Sequence, residues 1–151
     1  MTSTHDSQNI DGVPTYTQGG DHAVRFSDYH PAWLGNLADD VTIEGSLLDG
    51  AARGPDAVRA IIGAIRTLYG DSQAFNFAGP YGDNGWLEDY TARLGGEPIG
   101  CAVLVTSNAA GQTQHIAANY RPRRSLLLLS RLVGEKLART PYASYFVGGG
   151  S

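Results

Sequence analysis

The stretch Trp33–Tyr69, WLGNLADDVTIEGSLLDGAARGPDAVRAIIGAIRTLY, decides how the chain folds. Val41 to Ser46 alternates. Val41, Ile43 and Gly45 share one face and Thr42, Glu44 and Ser46 the other, as in a strand with one buried side. Gly45 inside such a strand implies a bend or a close approach of another backbone. Asp49-Gly50 makes a turn, and Arg53-Gly54-Pro55 opens a helix. Pro55 suits the first helical turn, and Asp56 there complements the helix dipole. Val58, Ile61, Ile62, Ile65 and Leu68 then form an apolar stripe at helical spacing, and Gly70 ends it.

Upstream, Phe26 to Leu37 contains one short helical piece with Pro31 in its first turn and Trp33, Leu34 and Leu37 on one face. Asp39 and Asp40 follow. A carboxylate pair invites an acid–base reading, and a solvated turn is the plainer one. Residues 1–24 are polar and without a sustained period, so they read as a flexible arm ahead of a single domain over 25–146. His5 and His22 lie there beside Asp6 and Asp21, with nothing in the pattern to fix a metal site. Residues 147–151 read as a linker remnant.

Downstream the period changes to two. Strands are expected over 73–79, 86–94, 99–106 and 112–120, joined by glycine-rich turns such as Gly95-Gly96. Pro122 closes the last of them. Ser125 is placed to cap a final helix over 126–138, in which Leu126, Leu129, Val133 and Leu137 line one face. That face must be buried, on its own sheet or on another chain. Helix, strand, helix and four strands in hairpin order make an α+β protein, a curved antiparallel sheet wrapped around helices.

The 151 residues carry a formal charge of −4, which argues against wholesale nucleic-acid binding. Six of the eleven basic residues lie beyond position 120, as a solvated tail or a patch for an acidic partner. The single cysteine, Cys101, excludes an intramolecular disulfide framework and sits in an apolar run as a buried thiol. No run of apolar residues is long enough for a membrane span, and the N-terminus lacks a signal pattern, so a cytoplasmic protein is expected. No zinc spacing, phosphate loop or dinucleotide fingerprint is present, and no metal or cofactor is expected.

Residues 37–45, LADDVTIEG, and 53–61, RGPDAVRAI, resemble the core of the SnoaL-like proteins of the nuclear transport factor two superfamily. Residues 111–120, GQTQHIAANY, resemble their last strand. The resemblance implies a cone-shaped, cystatin-like roll with a pocket between sheet and helices, and commonly a homodimer formed through the sheet. It also implies isomerase, cyclase, dehydratase, hydrolase or plain binding activity, since the fold hosts all of these. In ketosteroid isomerase the base follows the glutamate that Glu44 matches, and here that position is Gly45. The protonated acid of its oxyanion hole would fall near Val103. The last-strand aspartate of the epoxide hydrolases would fall at Ala118. None of the three is a carboxylate.

What remains for chemistry lies on the sheet. Trp86, Glu88 and Tyr90 share one strand face, and inside a pocket Glu88 would be a desolvated carboxylate among aromatics, fit for acid–base work, with Tyr90 as a donor. Outside it, Glu88 would be a solvated or arginine-paired group. His115 is a candidate base if it faces the pocket, and an interface histidine if Ile116, Ala118 and Tyr120 do. The expected pocket wall is Trp33, Ile43, Ile62, Trp86, Cys101, Val103, Ile116 and Tyr120. The expected function is binding of a small hydrophobic or aromatic molecule. The alternative is a cofactor-independent isomerase, cyclase or hydrolase using Glu88, Tyr90 or His115.

Overall fold

The computed structural model describes residues 30–146, together with the short pair Asn9–Ile10 (β1) and Val13–Pro14 (β2). The arm expected over residues 1–24 otherwise lies outside the described residues. β1 and β2 pair with each other, apart from the main sheet. The chain then runs through β3 (Leu37–Gly45), β4 (Ala52–Arg53), α1 (Pro55–Tyr69), β5 (Ala74–Tyr81), β6 (Gly85–Leu94), β7 (Glu97–Ser107), β8 (Thr113–Arg121) and α2 (Arg123–Lys136).

β5 to β8 form an antiparallel meander, and the sheet order is β4-β3-β8-β7-β6-β5. One pairing departs from the antiparallel sheet read in the sequence: β3 joins β8 in parallel, with Ile43 opposite Ile116. The sheet is therefore mixed, six-stranded and curved, in an α+β fold. α1 packs across β3 with Ala57, Val58, Ile61, Ala64, Ile65 and Tyr69 buried. A parallel edge needs both faces of its strands managed, and α1 supplies the cover on the inner one. Val41 and Ile43 of β3, Val103 and Val105 of β7, and Ile116 of β8 complete the core under it.

α2 turns back onto β7, β8 and α1. It buries Leu129, Val133 and, just past its end, Leu137, so the leucine-rich face is covered by its own chain. Ser125 does not cap this helix. The helix starts two residues earlier, at Arg123, and the Ser125 hydroxyl donates to the Pro98 carbonyl at 2.7 Å. The short helical piece expected within 26–37 is the 3-10 turn Ala32–Gly35, but Leu37 belongs to β3, and residues 26–29 lie outside the described residues. Asp39 and Asp40 are thus exposed strand residues, and Asp40 accepts a hydrogen bond from Gln114 Nε2 at 2.9 Å.

Gly45 ends β3 with φ of +146°, and a Cβ built on it would lie 1.8 Å from the carbonyl oxygen of Ala118. The expected close approach is therefore a requirement of the β3–β8 contact. Just beyond it, the Ser46 amide donates to that same carbonyl at 3.1 Å, and the Ser46 hydroxyl accepts from the Tyr120 amide at 2.8 Å.

Candidate functional site

The inner face of β6 carries Trp86, Glu88, Tyr90 and Ala92 in alternation; Leu87, Asp89, Thr91 and Arg93 face outward. Glu88 is only 3% exposed. One of its carboxyl oxygens, Oε2, accepts from Trp33 Nε1 at 3.0 Å and from Trp86 Nε1 at 3.1 Å. The two tryptophans come from elements far apart in sequence. Trp33 sits on the 3-10 turn, which is tied to β8 by the Thr113 hydroxyl donating to the Trp33 carbonyl at 2.7 Å. Two N–H donors on one oxygen favour the ionised carboxylate, while burial opposes it.

Deeper along the same face, the hydroxyls of Tyr69 and Tyr90 lie 2.9 Å apart. Their rings meet edge to face at 5.7 Å, and Phe75 packs against Tyr90 at 5.5 Å. Tyr120 and Cys101 complete this buried polar group. Burial pushes the Cys101 thiol up to about 12, and the nearby Glu88 charge adds to it. Burial likewise pushes all three tyrosines well above the usual phenol range. Every one of these hydroxyls is therefore a neutral hydrogen-bond donor at physiological pH.

Two spaces lie on either side of the tryptophan–Glu88 group, and Glu88 itself borders only the inner one. The inner one is a cavity of about 40 Å³ bounded by Trp33, Ile62, Tyr69, Gln73, Glu88, Tyr90, Val103 and Tyr120, among others. Gln73 is buried on its wall, and its Oε1 has no partner among the described residues. The outer space is a cleft of about 580 Å³, lined by Trp33 and Trp86 with Asn36, Asp83, Asn84, Ser107, Asn108 and Thr113. Trp33 borders both.

Of the residues expected on a pocket wall, Trp33, Ile62, Val103 and Tyr120 border the inner cavity with Glu88 and Tyr90, and Trp86 lines the outer cleft. Ile43, Cys101 and Ile116 face the same way but line neither space. They are fully packed in the core, where α1 lies over the β3 side of the sheet. His115 is on the outer face. Its Nε2 lies 2.8 Å from Glu44 Oε2 and its Nδ1 2.6 Å from Thr42 Oγ1. It therefore faces away from Glu88's side of the sheet.

Tyr69 and Gln73 escaped the sequence reading. Tyr69 had a signal: it continues the α1 stripe four residues beyond Ile65. Gln73, between helix and strand, had none. The cleft's polar rim comes from three loops that only the fold brings together. Among the described residues, no group of three or more metal-ligating side chains is assembled, and no helix is long and apolar enough to cross a membrane.

No protein-family model matches the sequence, and no curated protein does. Solved structures do match. A bacterial protein with a cystatin-like fold from Silicibacter pomeroyi DSS-3 superposes with a TM-score of 0.64 at 19% identity, over 72% of this chain and 74% of its own. A steroid delta-isomerase from Pseudomonas aeruginosa gives 0.63 at 18% identity, over 70% of this chain and 77% of its own. A de novo designed protein with a curved β-sheet gives 0.53 at 15% identity, over 65% and 78%. Likeness at such identities speaks for architecture and leaves activity open. The chain has the cystatin-like α+β fold, in common with these structures.

Proposed function

We propose that the protein binds a small hydrophobic or aromatic molecule in the cleft floored by Trp33 and Trp86. The observation that carries this reading is the shared hydrogen bond to Glu88. Each indole spends its only polar atom on that buried carboxyl, which leaves ring surface for a ligand. Ring surface favours offset or edge-on contact with another flat apolar group. A volume of about 580 Å³ lies in the ordinary range for small-molecule sites. The steroid isomerase shares the fold, but its reaction is not part of this proposal: by the family resemblance the base belongs at Gly45, where no side chain fits.

Native mass spectrometry of the purified protein tests for a retained molecule, and titration with naphthol tests the cleft. Saturable quenching of tryptophan emission is expected, with affinity falling at least about ten-fold in Trp86→Ala. A linear, non-saturating response with no retained molecule would sink the proposal.

A second reading, proton-transfer catalysis, is favoured by the burial of Glu88 directly behind the tryptophan floor, with Tyr90 next along the same face. Glu88 would move the proton and a tyrosine hydroxyl would stabilise the oxygen that gains charge. Glu88→Gln keeps an acceptor for both indoles. It is expected to retain binding while turnover of a bound substrate drops by about a hundred-fold or more. Equal turnover would remove Glu88 from the chemistry.

The proposal includes a homodimer through the outer sheet face. Leu87, Leu104 and Ala117 lie side by side there on neighbouring strands, half-buried with polar residues around them. It also places the protein in the cytoplasm, where an unpaired, buried Cys101 suits the reducing conditions.

A further inference from the structure

The outer cleft offers more hydrogen-bond acceptors than donors, the amide nitrogens of Asn36 and Asn84 each keeping a second N–H. Both indole N–H groups are turned onto Glu88. The Asn84 amide nitrogen donates to the Ser107 carbonyl at 3.0 Å, and that of Asn36 to the Gly111 carbonyl at 3.2 Å. The Asn108 amide nitrogen is held by Gln112 and Gln114 at 3.3 and 3.2 Å. The Thr113 hydroxyl donates to the Trp33 carbonyl. Backbone donors are consumed in the same way: Ser107 onto Asn84, Gly111 onto Asn108, and Thr113 onto Asn36.

Acceptors remain on the rim. The Oδ1 atoms of Asn36 and Asn84 accept no hydrogen bond from the described residues, and Asp83 has no ion-pair partner among them. The Ser107 hydroxyl serves either way. No described residue lining the cleft is lysine, arginine or histidine. Behind the floor lies the Glu88 carboxyl, which raises the electron density of both indoles by accepting their N–H groups. An electron-rich aromatic floor, a rim of acceptors and one rim carboxylate attract positive charge and repel negative charge.

We propose that this cleft selects an organic cation, a protonated or quaternary amine, and rejects anions of the same shape. The proposal rests on the reading of the cleft as a ligand site and names the class of ligand. The chain's two tryptophans both line this cleft, so their emission responds to a ligand bound there.

Three probes of one shape separate charge from size: choline, the neutral neohexanol, and the anion tert-butylacetate. Choline is expected to saturate the emission change on the order of ten-fold more tightly than neohexanol, and tert-butylacetate to give no saturable change. Asp83→Asn, an exposed change, is expected to weaken choline roughly two- to five-fold and naphthol by less than choline. Neohexanol binding as tightly as choline would overturn the proposal, as would choline affinity unchanged in Asp83→Asn. Saturable naphthol binding with no response to choline would overturn the cation preference and leave the ligand site standing. No saturable response to either would remove both.

Discussion

Gly45→Ala is expected to lose about 3–5 kcal/mol of stability, enough to leave many small domains largely unfolded. Two costs combine. The backbone at Gly45 has a positive φ that residues with a Cβ rarely adopt, and the added methyl carbon would overlap the Ala118 carbonyl. Relief requires β3 to move away from β8, which breaks the bonds that Ser46 makes to Ala118 and Tyr120. Gly63→Ala is the matched control. Gly63 lies in α1, where an added methyl group would meet nothing within 4 Å, so alanine there is expected to add roughly 0.5–1 kcal/mol. Urea unfolding monitored by circular dichroism gives both values. A Gly45→Ala protein with the parent's midpoint would show that the contact with Ala118 does not constrain the strand. The same geometry predicts that Gly45→Asp, which restores a carboxylate in the isomerase's place, yields unfolded protein and no isomerase.

The second large effect is expected in alkali. Tyr69, Tyr90, Tyr120 and Cys101 are all held protonated by burial, with folded values above their unfolded ones. Below the unfolded values both states bind these protons and stability is independent of them. From about pH 9 for the thiol and about pH 10 for the phenols, the unfolded chain releases protons that the folded chain keeps. Stability then falls with rising pH by about 1.4 kcal/mol per group for each unit. Three tyrosines together make roughly 4 kcal/mol per unit above pH 10, comparable within two units to the whole stability of a small domain. Circular dichroism and phenolate absorbance, followed together, should show part of the tyrosine absorbance appearing only as the fold is lost. Ionisation of all eight tyrosines well before unfolding would contradict the buried cluster.

Much of this could be read from residues. Alternation placed Trp86, Glu88 and Tyr90 on one face of β6, and that face is the inner one. The start of β3 was hidden for a physical reason. Leu37 and Ala38 are buried, Asp39 and Asp40 exposed, and Val41 buried again, while the pairing with β8 shifts register between Leu37 and Thr42. A bulge thus breaks period two and imitates a helical turn. Alternation likewise assigns Ile43, Cys101 and Ile116 to the inner face without saying where along it a helix lies. Whether an inner residue borders a cavity or core depends on α1, which covers the sheet at one end. The meeting of Trp33 with Trp86 over Glu88 joins a turn to a strand more than fifty residues away, and no local pattern carries such information.

The parallel pairing of β3 with β8 bears on synthesis as well as on stability. Thr42 stands opposite His115, 73 residues later in the chain. A chain emerging from the ribosome therefore presents the α1 stripe before the meander it covers exists, and β3 waits for the last strand of all. Long-range pairing of this kind is slow and leaves apolar surface open meanwhile. Fragments that stop short of residue 113 hold β3 without its main neighbour. For such fragments the strand edge that later seats Ala118 is a place where other chains can add.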